Sequence, residues 1–175
     1  MINLVKNYTK NFILNLVYKR VLKSKPKKKF IKLFNKPFSI AVIIDSSLNM
    51  KINDFNFLTD VFSTSDQNIS FLWYKSFILH DCSSHIRIDD NDINFIGKIN
   101  KDYNLFFDRK YDVLINVYQK DNVIMKLLSL KVKHDFSIGF TPVDNELNDI
   151  VFDFSPQNVK VFSVELSKYL KIISK

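Results

Sequence analysis

FSIAVIIDSS, residues 38–47, is the stretch on which the fold turns. Apart from Ser39, residues 38–44 form one apolar run that stops at Asp45, Ser46 and Ser47. A strand with one wet face alternates apolar and polar residues. Residues 40–44 have no polar position, so both faces of this strand are predicted to be buried, as in a parallel sheet covered by helices on each side. Four further runs read the same way, at residues 69–74, 113–118, 136–140 and 150–154. Between them, residues 55–62, residues 122–132 and a segment after Pro156 carry helical spacing. This alternation predicts an α/β domain with a single three-layer, Rossmann-like open sheet. The sheet should be mostly parallel, of about five strands, with the runs at 38–44 and 113–118 in its centre.

The last helix is the best signposted. Ser155 stands ready to cap it, Pro156 suits its first turn, and Val159, Phe162, Leu166, Tyr169 and Ile173 form one apolar stripe. Residues 79–107 show no clear period and read as mostly loop, with a short helix near 103–107. The acids there, Asp89, Asp90 and Asp92, lack the glycine and terminal glutamate of a calcium loop and read as solvated.

Ahead of residue 38 the chain changes character. Ile2, Val5, Tyr8, Phe12, Ile13 and Leu16 recur at three- and four-residue steps, with Asn3, Lys6, Asn7, Lys10, Asn11 and Asn15 turned away from them. They predict an amphipathic N-terminal helix. The stripe ends as Lys19, Arg20 and Lys23 arrive. Pro26 with Lys27, Lys28 and Lys29 then reads as a charged connector, which leaves the helix partly apart from the body. The expected division is a basic helix and connector over 1–36 and an α/β domain over 37–175.

Charge is segregated along the same boundary. The first 44 residues hold eleven basic side chains and no acidic one, while the other 131 hold 15 Lys and Arg against 18 Asp and Glu. A single-sign block of this size repels itself unless solvent, phosphate or another polyanion sits beside it. An AT-rich coding bias accounts for much of the lysine, since Ala, Gly, Pro and Arg together occur only ten times. It does not account for the missing Asp and Glu, whose codons are not GC-rich.

Length and composition bound the rest. A chain of 175 residues suits one domain with an ordinary core. Its apolar runs fall far short of the ~18 residues a bilayer-spanning helix needs. Asn11, Asn15 and the cations after them disfavour a signal peptide. The single cysteine, Cys82, excludes an internal disulfide framework and agrees with a cytoplasmic setting. Gly97 and Gly139 are the only glycines, so neither G-x-G-x-x-G nor a P-loop is present and no dinucleotide cofactor is expected.

The segment YDVLINVYQKDNVIMKLLSLKVKHDFSIGF (111–140), the earlier DINFIGKI (92–99), and the closing LNDIVFDF (147–154) with VFSVELSKYLKIISK (161–175) resemble a family of short α/β proteins of Bacteroidota, notably flavobacteria. That family is known only as a domain of unknown function. The resemblance implies a one-domain cytoplasmic α/β protein and supplies no catalytic residue. A fold-level likeness to the N-terminal half of heptose-type glycosyltransferases rests on DVLINV and SIGF, although a second nucleotide-sugar domain does not fit in this length.

Three groups of residues are candidates for function. Asp45 and Ser46 lie at the carboxyl end of the first strand, where open α/β sheets bind ligands. With Asn116, an amide inside an apolar strand, they form the candidate ligand site. The same residues also end strands and cap turns for local reasons. His80, Asp81, Cys82 and His85 hold metal-ligating groups within six residues, but no second cluster completes a tetrahedron, so they read as a polar loop without metal. Trp73 and Tyr74 read as core before they read as base-stacking platforms.

The third group is basic: Lys19, Arg20, Lys23, Lys25, Lys27, Lys28, Lys29 and Lys32 suit contact with a phosphate backbone. Taken together, these features describe a non-enzymatic module that meets RNA or the ribosome through its basic N-terminal region. Two alternatives stand beside it. One is a small-molecule-binding or glycosyltransferase-like enzyme with its site at the strand ends, the other a peripheral protein on an anionic membrane.

Overall fold

The computed structural model describes residues 2–24, 38–75, 85–99, 103–143 and 146–173. Among these, six strands form one open, all-parallel sheet: β1 (Ile40–Asp45), β2 (Ile69–Tyr74), β3 (His85–Ile88), β4 (Lys110–Val117), β5 (Lys133–Phe140) and β6 (Ile150–Phe152). Their order is β3-β2-β1-β4-β5-β6, the order of the Rossmann fold. The two most continuously apolar runs are its central pair, with Ile40 opposite Val113 and Ile44 opposite Val117. Every residue of β1 is buried.

Alternate residues of β1 belong to separate cores. Ala41 and Ile43 meet Leu14 and Tyr18 of α1 (Ile2–Ser24), Phe106 of α3 (Asn104–Phe107), and Met125 and Leu128 of α4 (Val123–Lys131). Ile40, Val42 and Ile44 meet Leu58 of α2 (Phe57–Val61) and Phe162 and Leu166 of α5 (Val159–Ile173). These are the two outer layers of the expected three. Paired serines and aspartates latch neighbouring strands. Asp112 accepts from Ser39 N and Oγ, each at 2.9 Å, and Asp149 accepts from Ser137 N and Oγ, each at 2.7 Å.

Four expectations need correction. The sheet has a sixth strand, β3, inside the stretch read as loop. It is four residues long and lies at an edge, with Ile88 buried, Ile86 half-buried and Arg87 exposed, so it leaves no apolar run in the sequence. The acids that follow it are not a solvated loop. Asp89 accepts from Asn91 N at 2.8 Å, Asp92 accepts from Asp89 N at 3.0 Å, and Asp92 is 5% exposed. Ser155 caps a turn that precedes α5, and Asn158 accepts from Val161 N at the helix start itself.

The fourth correction concerns α1, which does not stand apart. Leu14 and Tyr18 are buried in the core, Val17 and Leu22 pack beside them, and the Lys10 ammonium donates to the Asp90 carbonyl at 2.6 Å. Of the stripe read from its first half, Tyr8, Phe12 and Leu16 are exposed and Ile13 is half-buried. The helix carries two apolar sides, and the one at positions 14, 17, 18 and 22 faces α4 and the sheet.

Candidate functional site

Of the residues first singled out at the strand ends, Asp45 and Asn116 have internal partners. The Asp45 carboxylate accepts from Ser47 N at 2.9 Å and caps the 3-10 turn Ser46–Leu48. Ser46 Oγ is buried and has no hydrogen-bond partner among the described residues. Asn116 is 1% exposed. Its Nδ2 donates to Asn148 Oδ1 at 2.7 Å, and its Oδ1 accepts from Ser129 Oγ at 2.7 Å, beside the Tyr118 hydroxyl at 2.9 Å from that oxygen. Side chains of α4 and of the segment before β6 thus satisfy this amide, rather than the neighbouring backbone.

The network depends on a glycine. A Cβ at Gly139 would lie 2.1 Å from Asn148 Nδ2 and 2.5 Å from its Cγ. Gly139→Ala is expected to push Asn148 away, break its bond to Asn116, and cost about 1–3 kcal/mol in a denaturant titration. Asn148→Ala in the same chain removes the clash, so the double variant should lose less than the two single losses added.

A crevice of about 380 Å³ lies at the carboxyl ends of the strands. Tyr74 and Lys75 bring the end of β2 to it, Lys120 to Ile124 bring the passage from β4 into α4, Asp90 comes from the turn after β3, and Asn11 and Asn15 come from α1. None of Asp45, Ser46 and Asn116 lines it. Lys120 Nζ, 3.3 Å from Ser47 Oγ, links the crevice to the turn after β1, and Asp45 is the strand partner of Tyr74. It stands beside the point where β1 and β4 send their chains to opposite faces of the sheet, where folds of this strand order bind ligands.

Its lining is charged and internally ordered. The Tyr74 hydroxyl donates to the Asp90 carboxylate, whose other oxygen is 2.7 Å from Lys75 Nζ. Burial, and then the bond to Asp90, holds the Tyr74 proton far above its ordinary pKa, although the Asn122 side chain acts the other way. Lys75 adopts a left-handed φ of 57°, held by its N–H to the Ile88 carbonyl at 2.9 Å. That conformation costs a non-glycine residue about 1 kcal/mol or more and turns the chain sharply at the crevice rim. Asn122 caps α4 by accepting from Ile124 N at 2.9 Å, and Asp121 is 2.5 Å from the buried Lys126 ammonium, which also lies 4.6 Å from the Tyr18 ring centroid. Cations, carboxylates and amides in this arrangement suit a small polar solute.

The basic candidates divide in two. Lys19, Arg20 and Lys23 are exposed on α1. Lys25, Lys27, Lys28, Lys29 and Lys32 lie outside the described residues, as do His80, Asp81 and Cys82. His85 begins β3. Trp73 and Tyr74 are 3% and 2% exposed and belong to the core. Among the described residues no group of three His, Cys, Asp or Glu could hold a metal ion, and no helix is long and apolar enough to cross a membrane. Sequence reasoning missed Lys75, Asp90 and Lys120, which converge only through strand order. The one local signal was Asn122, placed at a helix start.

No curated protein and no solved structure matches the chain. One family model does, over residues 10–173, which takes in every residue lining the crevice and the basic end of α1. By that match the chain belongs to the family of unknown function DUF6913.

Proposed function

We propose that this protein is a non-enzymatic cytoplasmic module that binds RNA, free or within a particle such as the ribosome, through the outer face of α1 and the basic connector after it. One observation carries the reading. The face of α1 turned away from Leu14 and Tyr18 presents Tyr8, Phe12 and Leu16, which are 78%, 61% and 55% exposed, followed by the exposed Lys19, Arg20 and Lys23. Aromatic side chains beside a run of cations suit single-stranded RNA, whose bases stack while its phosphates are neutralised. From Tyr8 to Lys23 the helix rises about 22 Å, room for several nucleotides. The lysines from Lys25 to Lys32 prolong the cationic track with no acid before Asp45.

An anionic membrane would use the same lysines. A helix lying in a bilayer interface, however, immerses one broad apolar side, and α1 divides its apolar residues between the protein core and the outer face. Sedimentation of the purified protein with ribosomes and with bulk RNA tests the proposal. Binding at about 0.1 M salt, abolished by nuclease and weakened as salt rises, is the expected result. Absence of RNA binding at that salt overturns it, as does binding to anionic vesicles alone.

A further inference from the structure

We infer that the crevice at the carboxyl ends of β2 and β4 is a binding site for a small phosphorylated polyol of the sugar-phosphate kind, separate from the RNA-facing surface. The first argument is charge. Two carboxylates line the crevice and each already has a cation, Asp90 with Lys75 at 2.7 Å and Asp121 with Lys126 at 2.5 Å. Lys120 is the lysine left over. Its ammonium donates to Ser47 Oγ at 3.3 Å and has no carboxylate partner among the described residues. It stands next to the start of α4, a nine-residue helix with no acid in its first turn, whose dipole adds to the positive potential there. An anionic group is what this corner lacks.

The second argument is the rest of the lining. Asn11 and Asn15 from α1 and Asn122 at the cap of α4 line it with carboxamides. Asn122 Oδ1 is held by Ile124 N and Met125 N and leaves its N–H groups as donors, Asn15 gives one N–H to the Asn11 carbonyl and keeps its oxygen as an acceptor, and Asp90 is about half exposed. Such groups pair with vicinal hydroxyls. Val123 and Ile124 are the only aliphatic residues of the lining, and the Tyr74 ring is buried. No flat apolar platform therefore receives a nucleobase. No glycine lines the crevice, so no backbone turn comes close enough to cradle a pyrophosphate. The volume, about 380 Å³, is at the small end of ligand pockets. A single phosphate carried on a hydroxylated chain satisfies all of these features.

Thermal unfolding with about 10 mM ribose 5-phosphate, glucose 6-phosphate, glycerol 3-phosphate, inorganic phosphate or free glucose tests the inference. At least one phosphorylated polyol should raise Tm by roughly 5–10 °C when in about hundred-fold excess over its Kd, and by clearly more than phosphate or glucose. Lys120→Gln, an exposed substitution, should leave the unliganded Tm unchanged and weaken the ligand at least 10-fold. Asn11→Ala, equally exposed, should weaken the sugar phosphate while leaving any response to phosphate alone as it was. Three results each overturn the inference: no shift with any phosphorylated polyol, an equal shift with inorganic phosphate, or a sugar-phosphate shift undiminished in Lys120→Gln.

Discussion

Replacing Phe162 with Ala is expected to remove about 3–5 kcal/mol of stability, a large share of the roughly 5–15 kcal/mol a domain typically has. The side chain is fully buried in the layer between α5 and the sheet. Its ring meets Phe140 at 5.0 Å, Phe57 at 5.2 Å and Phe152 at 5.7 Å between centroids, each near edge-to-face. Truncation loses the transfer free energy of the ring and leaves a cavity that three rigid aromatic neighbours cannot close, together with three favourable ring pairs. The thermal midpoint should fall by about 6–20 °C. Tyr169, on the same apolar stripe but 42% exposed and with its ring 5.5 Å from the Phe152 ring, is the internal comparison. Tyr169→Ala should cost less than half as much. A loss below about 1.5 kcal/mol for Phe162→Ala would mean that α5 does not close this face of the sheet.

The contrast between Phe162 and Phe12 shows what was readable in the sequence. Phe162 lies in a stripe whose partners, the strands before it, are themselves apolar runs, so period and neighbourhood agree and the inward side is fixed. Phe12 lies in a stripe of equal regularity, yet it is exposed. The sequence of α1 holds two apolar sides, and which one docks is decided by α4, more than a hundred residues away. β1 and β4 were legible because two-sided burial leaves nearly unbroken apolar runs, with Asn116 the one polar residue of 113–117. β3 was not, because it is an edge strand of four residues in which Arg87 is exposed beside the buried Ile88.

The crevice failed to show for a different reason. Lys75, Asp90 and Lys120 follow different strands, and no spacing along the chain links them. They meet because β2 and β4 flank β1 on its two sides and end at the same edge of the sheet. Asp45 and Ser46 were found from the end of a single strand, a local feature, and the Asp45 carboxylate is engaged locally, at Ser47 N. Asn116 was correctly seen as an amide in need of partners. That Ser129 and Asn148 would supply them depends on Gly139 opening space for Asn148, which nothing local announces.

Dissecting the basic surface gives the second large effect. If Lys19, Arg20, Lys23, Lys25, Lys27, Lys28, Lys29 and Lys32 all contact phosphate, log affinity for single-stranded RNA should fall against log salt with a slope near −5.6, taking about 0.7 per contact. Between 50 and 200 mM salt that is a loss of about 10³-fold. Replacing Lys25, Lys27, Lys28 and Lys29 by Gln should flatten the slope by roughly 3 units, while Tm moves little, since surface substitutions usually change stability by no more than about 0.5 kcal/mol. Tyr8→Ala and Phe12→Ala should behave in the opposite way. Each removes a stacking surface from the outer face of α1, so affinity should drop about 5- to 150-fold per base unstacked, the equivalent of about 1–3 kcal/mol, with the salt slope unchanged. The two sets of variants therefore separate charge from stacking on one helix. A lysine variant that keeps the wild-type slope would show that the connector does not touch phosphate, and aromatic variants that bind as tightly as wild type would leave the exposed side of α1 without a part in RNA binding.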